Sequence, residues 1–377
     1  MPSRMQKLLL ISSSNLANLP GVYQKIIGQG KGFKHYGFDV YWLYRWHTEI
    51  RLLSDATQTH RTVKKFHNRF VVNGFFFFGI WKTLVDIRPG IVYIRHPYVC
   101  TSAYIRFLRN AAAKGFQLFT EIPTYPYDAE YRGAVSGKIV RWIDTVFRKQ
   151  LHNYISHVFT YNNHTEIFGI PATRIENGID VARIPVRRPA RCQTETCVLL
   201  GVASLSFWQG YDRVIEGLKH YYRSKEKRRN VVFHIVGTGK EFEKLQHLVR
   251  TYALQDVVRF LGERYGNDLY ASYHHADIGI STLAIHRKGL KDGASLKSRE
   301  YCAAGLPFVL AYDDVDFPDT FPYTFRIKAD DSPVDIEELV EFQNRMRRQE
   351  YIEAMRHYAC THLDWTIKLQ PVIDMFR

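Results

Sequence analysis

Cysteine is scarce and scattered in this 377-residue chain, at Cys100, Cys192, Cys197, Cys302 and Cys360. Only Cys192 and Cys197 lie close in sequence, and no second pair completes a zinc module. A disulfide scaffold is excluded, and a reduced, cytoplasmic setting is expected. Long apolar runs are also missing. The densest, residues 70–80, is about half a membrane span and is interrupted by Asn73 and Gly74. Arg4 and Lys7 precede only the short run 8–11, so neither a leader nor a bilayer-crossing segment is expected. The histidines His96, His164, His234, His274 and His275 show no ligand spacing along one helix face, and no bound metal is expected.

Acid is short in the first half alone. Residues 1–185 carry 24 Lys and Arg against 11 Asp and Glu, whereas the remainder carries 28 against 26. A basic half beside a near-neutral one predicts contact with a polyanionic surface, nucleic acid or anionic lipid, unless the charge merely faces water.

Short apolar runs alternate throughout with amphipathic helical stretches. This pattern predicts βαβ units and parallel sheets, hence an α/β protein. Strands are expected at 7–12, 38–44, 91–94, 117–120 and 157–160, with helices at 66–86, 102–114 and 138–154. A linker follows at 175–189, carrying an Asn-Gly step and two prolines. The alternation then restarts with strands at 196–201, 231–236, 257–260, 278–281 and 307–310. Helices are expected at 211–223, 241–252, 268–274 and 296–304, and beyond 336.

Residues 231–240 read VVFHIVGTGK, a strand entering Gly237-Thr238-Gly239. A third fingerprint glycine would fall at Phe242, and no Ser or Thr follows Lys240. Neither a dinucleotide fingerprint nor a P-loop is satisfied, so a tight strand-to-helix turn remains. Residues 292–307 read DGASLKSREYCAAGLP. Asp292 precedes the small residues Gly293, Ala294 and Ser295, then a helix opens at Leu296 and stops at Gly305 before Pro307. A helix start binds phosphate through free N–H groups and the macrodipole, and Lys297 adds a full charge. Glu300 lies one turn on along that face. The bland reading is an exposed helix start with a Lys297–Glu300 surface pair of little energetic consequence.

Asp292, seven residues, Glu300 and then AAGLPFV resemble the acid-x7-Glu signature of retaining family-4 glycosyltransferases, the glycosyl transferases group 1, which have the GT-B fold. ENGID (176–180), VGTGKE (236–241) and FLGERYGNDLYASYHHADIGIS (260–281) resemble three further family elements in the same order. The resemblance covers nearly all of residues 175–311. It implies two Rossmann-like domains facing across a cleft: an acceptor-binding domain at 1–180 and a nucleotide-sugar domain at 181–355. A C-terminal helix, 356–377, would return to the first domain. It also implies transfer of a sugar with retention, with the nucleotide sugar as donor substrate and no cofactor or metal. The acceptor would be a polyprenyl-diphosphate-linked glycan, in cell-surface polysaccharide assembly such as capsule or lipopolysaccharide. The protein would sit peripherally on the inner face of the cytoplasmic membrane, with no nucleic-acid partner.

By the same resemblance Gly21, Gly237, Arg264, Gly293, Ala294, Ser295, Leu296, Lys297 and Glu300 contact the donor. Asp292, Lys297, Glu300 and Glu121 would serve the chemistry, Glu121 standing where some relatives carry histidine. Arg95 and His96, at the end of an expected strand, are acceptor or cleft candidates, and an Arg95–Glu121 structural ion pair is the alternative. One departure matters. The family's Arg and Lys on the diphosphate correspond to Ser204 and Gln209, which leaves Lys297 as the expected replacement, supported by His286, Arg287, Lys288 and Lys291. A catalytically degenerate sugar-nucleotide or nucleic-acid binding protein is the second reading. Asp314 and Asp316 are expected to be surface acids. Trp142 and Phe147 are expected to insert into a membrane beside Arg141, Arg148 and Lys149, with Arg61, Lys64, Lys65 and Arg69 as a second basic contact.

Overall fold

The computed structural model describes residues 5–54, 59–127, 135–187, 196–223, 229–347 and 350–376. The chain divides into two compact units, one of residues 1–178 with 365–377, the other of 179–364. Residues 356–364 thus belong to the second unit, and only the last thirteen return to the first.

The first unit is built on β1 (Lys7–Asn15), α1 (Pro20–His35), β2 (Asp39–Trp46), β3 (Glu49–Ser54) and β4 (His60–Lys65). It continues with α2 (Arg69–Ile87), β5 (Ile91–Arg95), α3 (Ser102–Ala113), β6 (Gln117–Ile122), α4 (Val135–Arg148), β7 (His157–Thr160), β8 (Glu166–Ile167) and β9 (Ile170–Arg174). The nine strands run in the order β4-β3-β2-β1-β5-β6-β7-β9-β8, parallel from β2 through β9, with β3, β4 and β8 antiparallel. Strand β1 shows why helices cover both faces. Leu9 and Ile11 point into a core with Val72, Phe76 and Ile80 of α2 and Tyr104 and Leu108 of α3. Leu8 and Leu10, one residue out of phase, meet Ile26 and Phe33 of α1 and the returning Trp365, Val372 and Phe376. Helix α2 is long and apolar enough to cross a membrane by length and composition. In this fold its Val72, Phe76, Phe77, Ile80, Leu84 and Ile87 are buried in the unit's core.

The second unit comprises β10 (Thr196–Val202), α5 (Tyr211–Arg223), β11 (Asn230–Val236), α6 (Phe242–Thr251), β12 (Val258–Phe260), α7 (Gly266–His274) and β13 (Ile278–Ile280). It is completed by α8 (Leu296–Ala304), β14 (Phe308–Leu310), β15 (Thr324–Arg326), α9 (Ile336–Arg347) and α10 (Ile352–Tyr358); α11 (Trp365–Lys368) and α12 (Gln370–Phe376) lie in the first unit. Its six strands are all parallel, in the order β12-β11-β10-β13-β14-β15. Strand order reverses after β10, the place where open α/β sheets take ligands.

Candidate functional site

Three connections of the second unit meet beyond the carboxyl ends of β10, β11 and β13. Gly237 and Gly239 hold φ of 121° and 156°, and a Cβ there would lie 1.9 Å from Ala203 O and 2.4 Å from Leu205 O. Leu205 N donates to Thr238 O at 2.8 Å. The glycines are therefore demanded by close packing of two backbone segments, the tight turn read from the sequence.

Helix α8 opens at Ser295, whose side chain makes no capping bond. Gly293 N donates to Asp313 O at 2.9 Å, so that amide is already engaged. The N–H groups of Leu296 and Lys297 have no partner among the described residues, the usual condition of a helix start and an open invitation to an anion. Asp292 is exposed in the preceding loop, where it bridges to Asp313. Arg264 donates from Nη1 to Ser272 Oγ at 2.9 Å.

Lys297 makes no surface pair with Glu300. It is buried, and its Nζ donates to Gln209 Oε1 at 2.5 Å and to Tyr211 OH at 3.4 Å. Burial with no acid beside it lowers its pKa to about 7. Gln209 Nε2 donates to Ser204 O at 3.4 Å. The two positions where the family signature carries cations are thus joined, and an ammonium sits on one of them. Glu300 is half-buried and accepts from Tyr273 OH at 2.7 Å; burial raises its pKa.

Two expectations need correction. Asp314 and Asp316 are buried: Arg299 reaches both Asp314 oxygens at 2.9 Å and also grips Asp316. A fully enclosed guanidinium needs such partners, and α8 supplies it from its second turn. The basic cluster beside Lys297 is also largely engaged elsewhere. Arg287 pairs with Asp212 at 2.8 Å and Asp331 at 2.7 Å, His286 lies 3.2 Å from Asp331, and Lys288 stacks on Trp208.

In the first unit Gly21, expected to contact the donor, lies in the first turn of α1. Pro20, with its preset φ, starts the helix one residue earlier. Glu121 is 1% exposed, with Oε1 accepting from Lys25 at 3.0 Å and Arg95 at 2.7 Å, and Oε2 from Gln29 at 2.7 Å and Tyr93 at 3.1 Å. Lys25 and Arg95 hold its pKa down at about 2 against the opposing effect of burial. It is a sealed ion-pair carboxylate and does not line the neighbouring pocket; Arg95 and His96 do. His96 Nε2 lies 3.1 Å from Tyr127 OH, and burial, helped by Arg148, drops its pKa to about 3, so the ring is neutral. Lys25 and Gln29 on α1 carried no sequence signal, since their bond to Glu121 spans more than ninety residues.

Residues 186–321 match the model of the family described as glycosyl transferases group 1. No curated protein matches the chain. Among solved structures, a glycosyltransferase from Rickettsia africae ESF-5 is 13% identical with a TM-score of 0.66, covering 99% of this chain and 98% of that one. A sucrose-phosphate synthase from Thermosynechococcus elongatus is 12% identical at 0.68, with coverage of 99% and 98%. HepE of Anabaena in complex with UDP is 13% identical at 0.66, with coverage of 98% and 99%. Residues 186–321 are therefore a glycosyl transferases group 1 domain, and the chain as a whole has the fold of GT-B glycosyltransferases.

Proposed function

We propose that this glycosyltransferase takes a nucleoside-diphosphate sugar as donor at the start of α8 and passes the sugar, with retention, to a lipid-linked glycan in cell-surface polysaccharide assembly. The observation that carries the donor reading is the Lys297 ammonium on the amide of Gln209, beside a free helix start. Negative charge grows on the leaving diphosphate as the glycosidic bond breaks, and a preorganised cation with helix N–H donors stabilises it without rearranging. Glu300, held by Tyr273, would accept from ribose hydroxyls, and Asp292 from the sugar. Retention follows if a donor phosphate oxygen helps deprotonate the acceptor, a role that asks for no protein base.

Turnover of isotope-labelled donor tests this, once a thermal-shift screen of UDP-, GDP- and other nucleotide sugars has found the donor. Lys297→Ala and Glu300→Ala should each cut turnover at least about tenfold, the rate equivalent of ~1.4 kcal/mol, with the fold intact. Near-normal turnover in both variants removes the assignment. Turnover should also persist in excess EDTA; loss restored by magnesium or manganese would reveal a metal requirement.

The membrane reading is supported by one side of the first unit. Helices α2, α3 and α4 pack on the same sheet face and expose Phe70, Phe75 and Phe78 together with Ile139, Trp142 and Val146. Arg69, Lys82, Arg106, Arg109, Lys138 and Arg141 are exposed on the same helices. Basic residues around aromatic anchors suit an anionic bilayer surface at the inner face of the cytoplasmic membrane.

A further inference from the structure

The first unit holds a pocket of about 160 Å³ beyond the carboxyl ends of β1, β5 and β6, lined among others by Ser14, Arg95, His96, Tyr98, Thr124 and Tyr127. A lone water needs only about 10–15 Å³ of such space, so the pocket has room for a much larger group. Its charge is set by the buried cluster behind it. Lys25 and Arg95 both contact the same oxygen of Glu121, at 3.0 and 2.7 Å. Two cations on one carboxylate leave an uncompensated positive charge in a low-dielectric setting. Lys25 cannot present it: its side chain is 6% exposed and its ammonium lies 3.9 Å from the Tyr161 ring centroid. Arg95 can, because it lines the pocket, and among the described residues only its Nη1 is engaged. A guanidinium has five N–H donors in a planar fork, so most of that fork is left for a ligand.

Neutral donors complete the lining. The hydroxyls of Ser14 and Thr124 have no hydrogen-bond partner among the described residues. Among the described residues the other acid nearby, Asp144, accepts from Tyr127 OH and is occupied by Arg148 at 3.2 Å, so it does not cancel the excess. A guanidinium edge with free hydroxyls recognises an oxyanion through charge-assisted bonds. We propose that this pocket is a phosphate subsite, and that it takes the phosphate or diphosphate group of the acceptor. The proposal deepens the reading above and rests on it for the acceptor's identity; the phosphate chemistry itself rests on the pocket alone.

Calorimetric titration of the full chain with inorganic pyrophosphate tests it, with and without a saturating nucleoside diphosphate that fills the donor site. Arg95→Gln is the variant of choice, since Glu121 keeps Lys25, Gln29 and Tyr93 and the buried cluster becomes neutral. Pyrophosphate should bind the wild-type chain even at saturating nucleotide, and Arg95→Gln should weaken that binding at least about tenfold. Ser14→Ala combined with Thr124→Ala should weaken it severalfold, which keeps the test open if Arg95→Gln does not fold. Equal binding by wild type and variants, or no pyrophosphate binding beside nucleotide, overturns the subsite. Equal loss of nucleotide and pyrophosphate affinity in Arg95→Gln would make the phosphate the donor's, overturning the acceptor assignment. If Arg95-dependent pyrophosphate binding persists while no nucleotide binds, the donor reading fails and the subsite stands.

Discussion

Lys297 is the residue on which the proposed donor site turns, and its protonation gives that site a pH signature. Burial leaves the folded-state pKa at about 7, far below the 10.5 of a free lysine. Between those values the unfolded chain binds the proton and the folded one does not, so this group's contribution to stability rises with pH across that window. Nucleotide binding responds in the opposite sense. A diphosphate beside the ammonium favours its charged form, so binding takes up a proton near neutrality, and affinity should fall as pH rises from about 7 to 9. Calorimetry in buffers of different ionisation enthalpy measures that uptake directly. Lys297→Met should abolish both the uptake and the slope; an unchanged slope in this variant places the titrating group elsewhere. The sequence singled out Lys297 as a candidate but gave no sign of its partner. Gln209 lies 88 positions away, and only the adjacency of β10 and β13 brings the connection after β10 to the start of α8.

At the scale of elements, alternation of apolar runs located most strands and helices, because each buried strand is bounded by turns and each helix is amphipathic. Strand β4 escaped because HRTVKK is nearly all exposed and shows no apolar alternation. Strand β8 escaped because two residues leave no period to read, and β9 because IPATR buries only Ile170 and carries a proline. Buried polar pairing was equally silent. Asp314 and Asp316 look like surface acids until α8 turns Arg299 inward between them. That ion pair fixes α8 against the loop after β14, and hence the helix start proposed for the donor. Arg299→Met should destabilise the protein by about 3–5 kcal/mol, because two buried carboxylates lose their counter-charge. Adding Asp314→Asn and Asp316→Asn should recover most of that loss in urea unfolding. Failure of the triple variant to recover would show that the guanidinium acts through its bonds to backbone rather than to the acids.

For the molecule as a whole, part of the basic excess visible in composition lies exposed on α2, α3 and α4 of the first unit, and the structure changes which side chains those helices offer. Phe147 of α4 packs against the core, so it is not an anchor. Trp142, 68% exposed, lies on the outer side of α4 with Ile139 and Val146, flanked by Lys138, Arg141 and Lys149. On α2, Phe70 and Phe78 are 71% and 72% exposed, with Arg69 5.0 Å from the first ring centroid and Lys64 5.5 Å from the second. Large apolar side chains held in water among cations are costly unless something covers them, and an anionic bilayer surface satisfies both. Each basic residue near such a surface contributes about 1 kcal/mol and is screened within about a Debye length. The full chain should therefore co-sediment with anionic vesicles, bind neutral ones little, and release as salt rises. Two variants separate the contributions. Arg141→Glu with Lys149→Glu should weaken binding and flatten its salt dependence. Trp142→Ser with Phe78→Ser should weaken binding while leaving the salt slope in place, since it removes insertion and not charge. Equal binding by wild type and both variants means that this face meets no membrane.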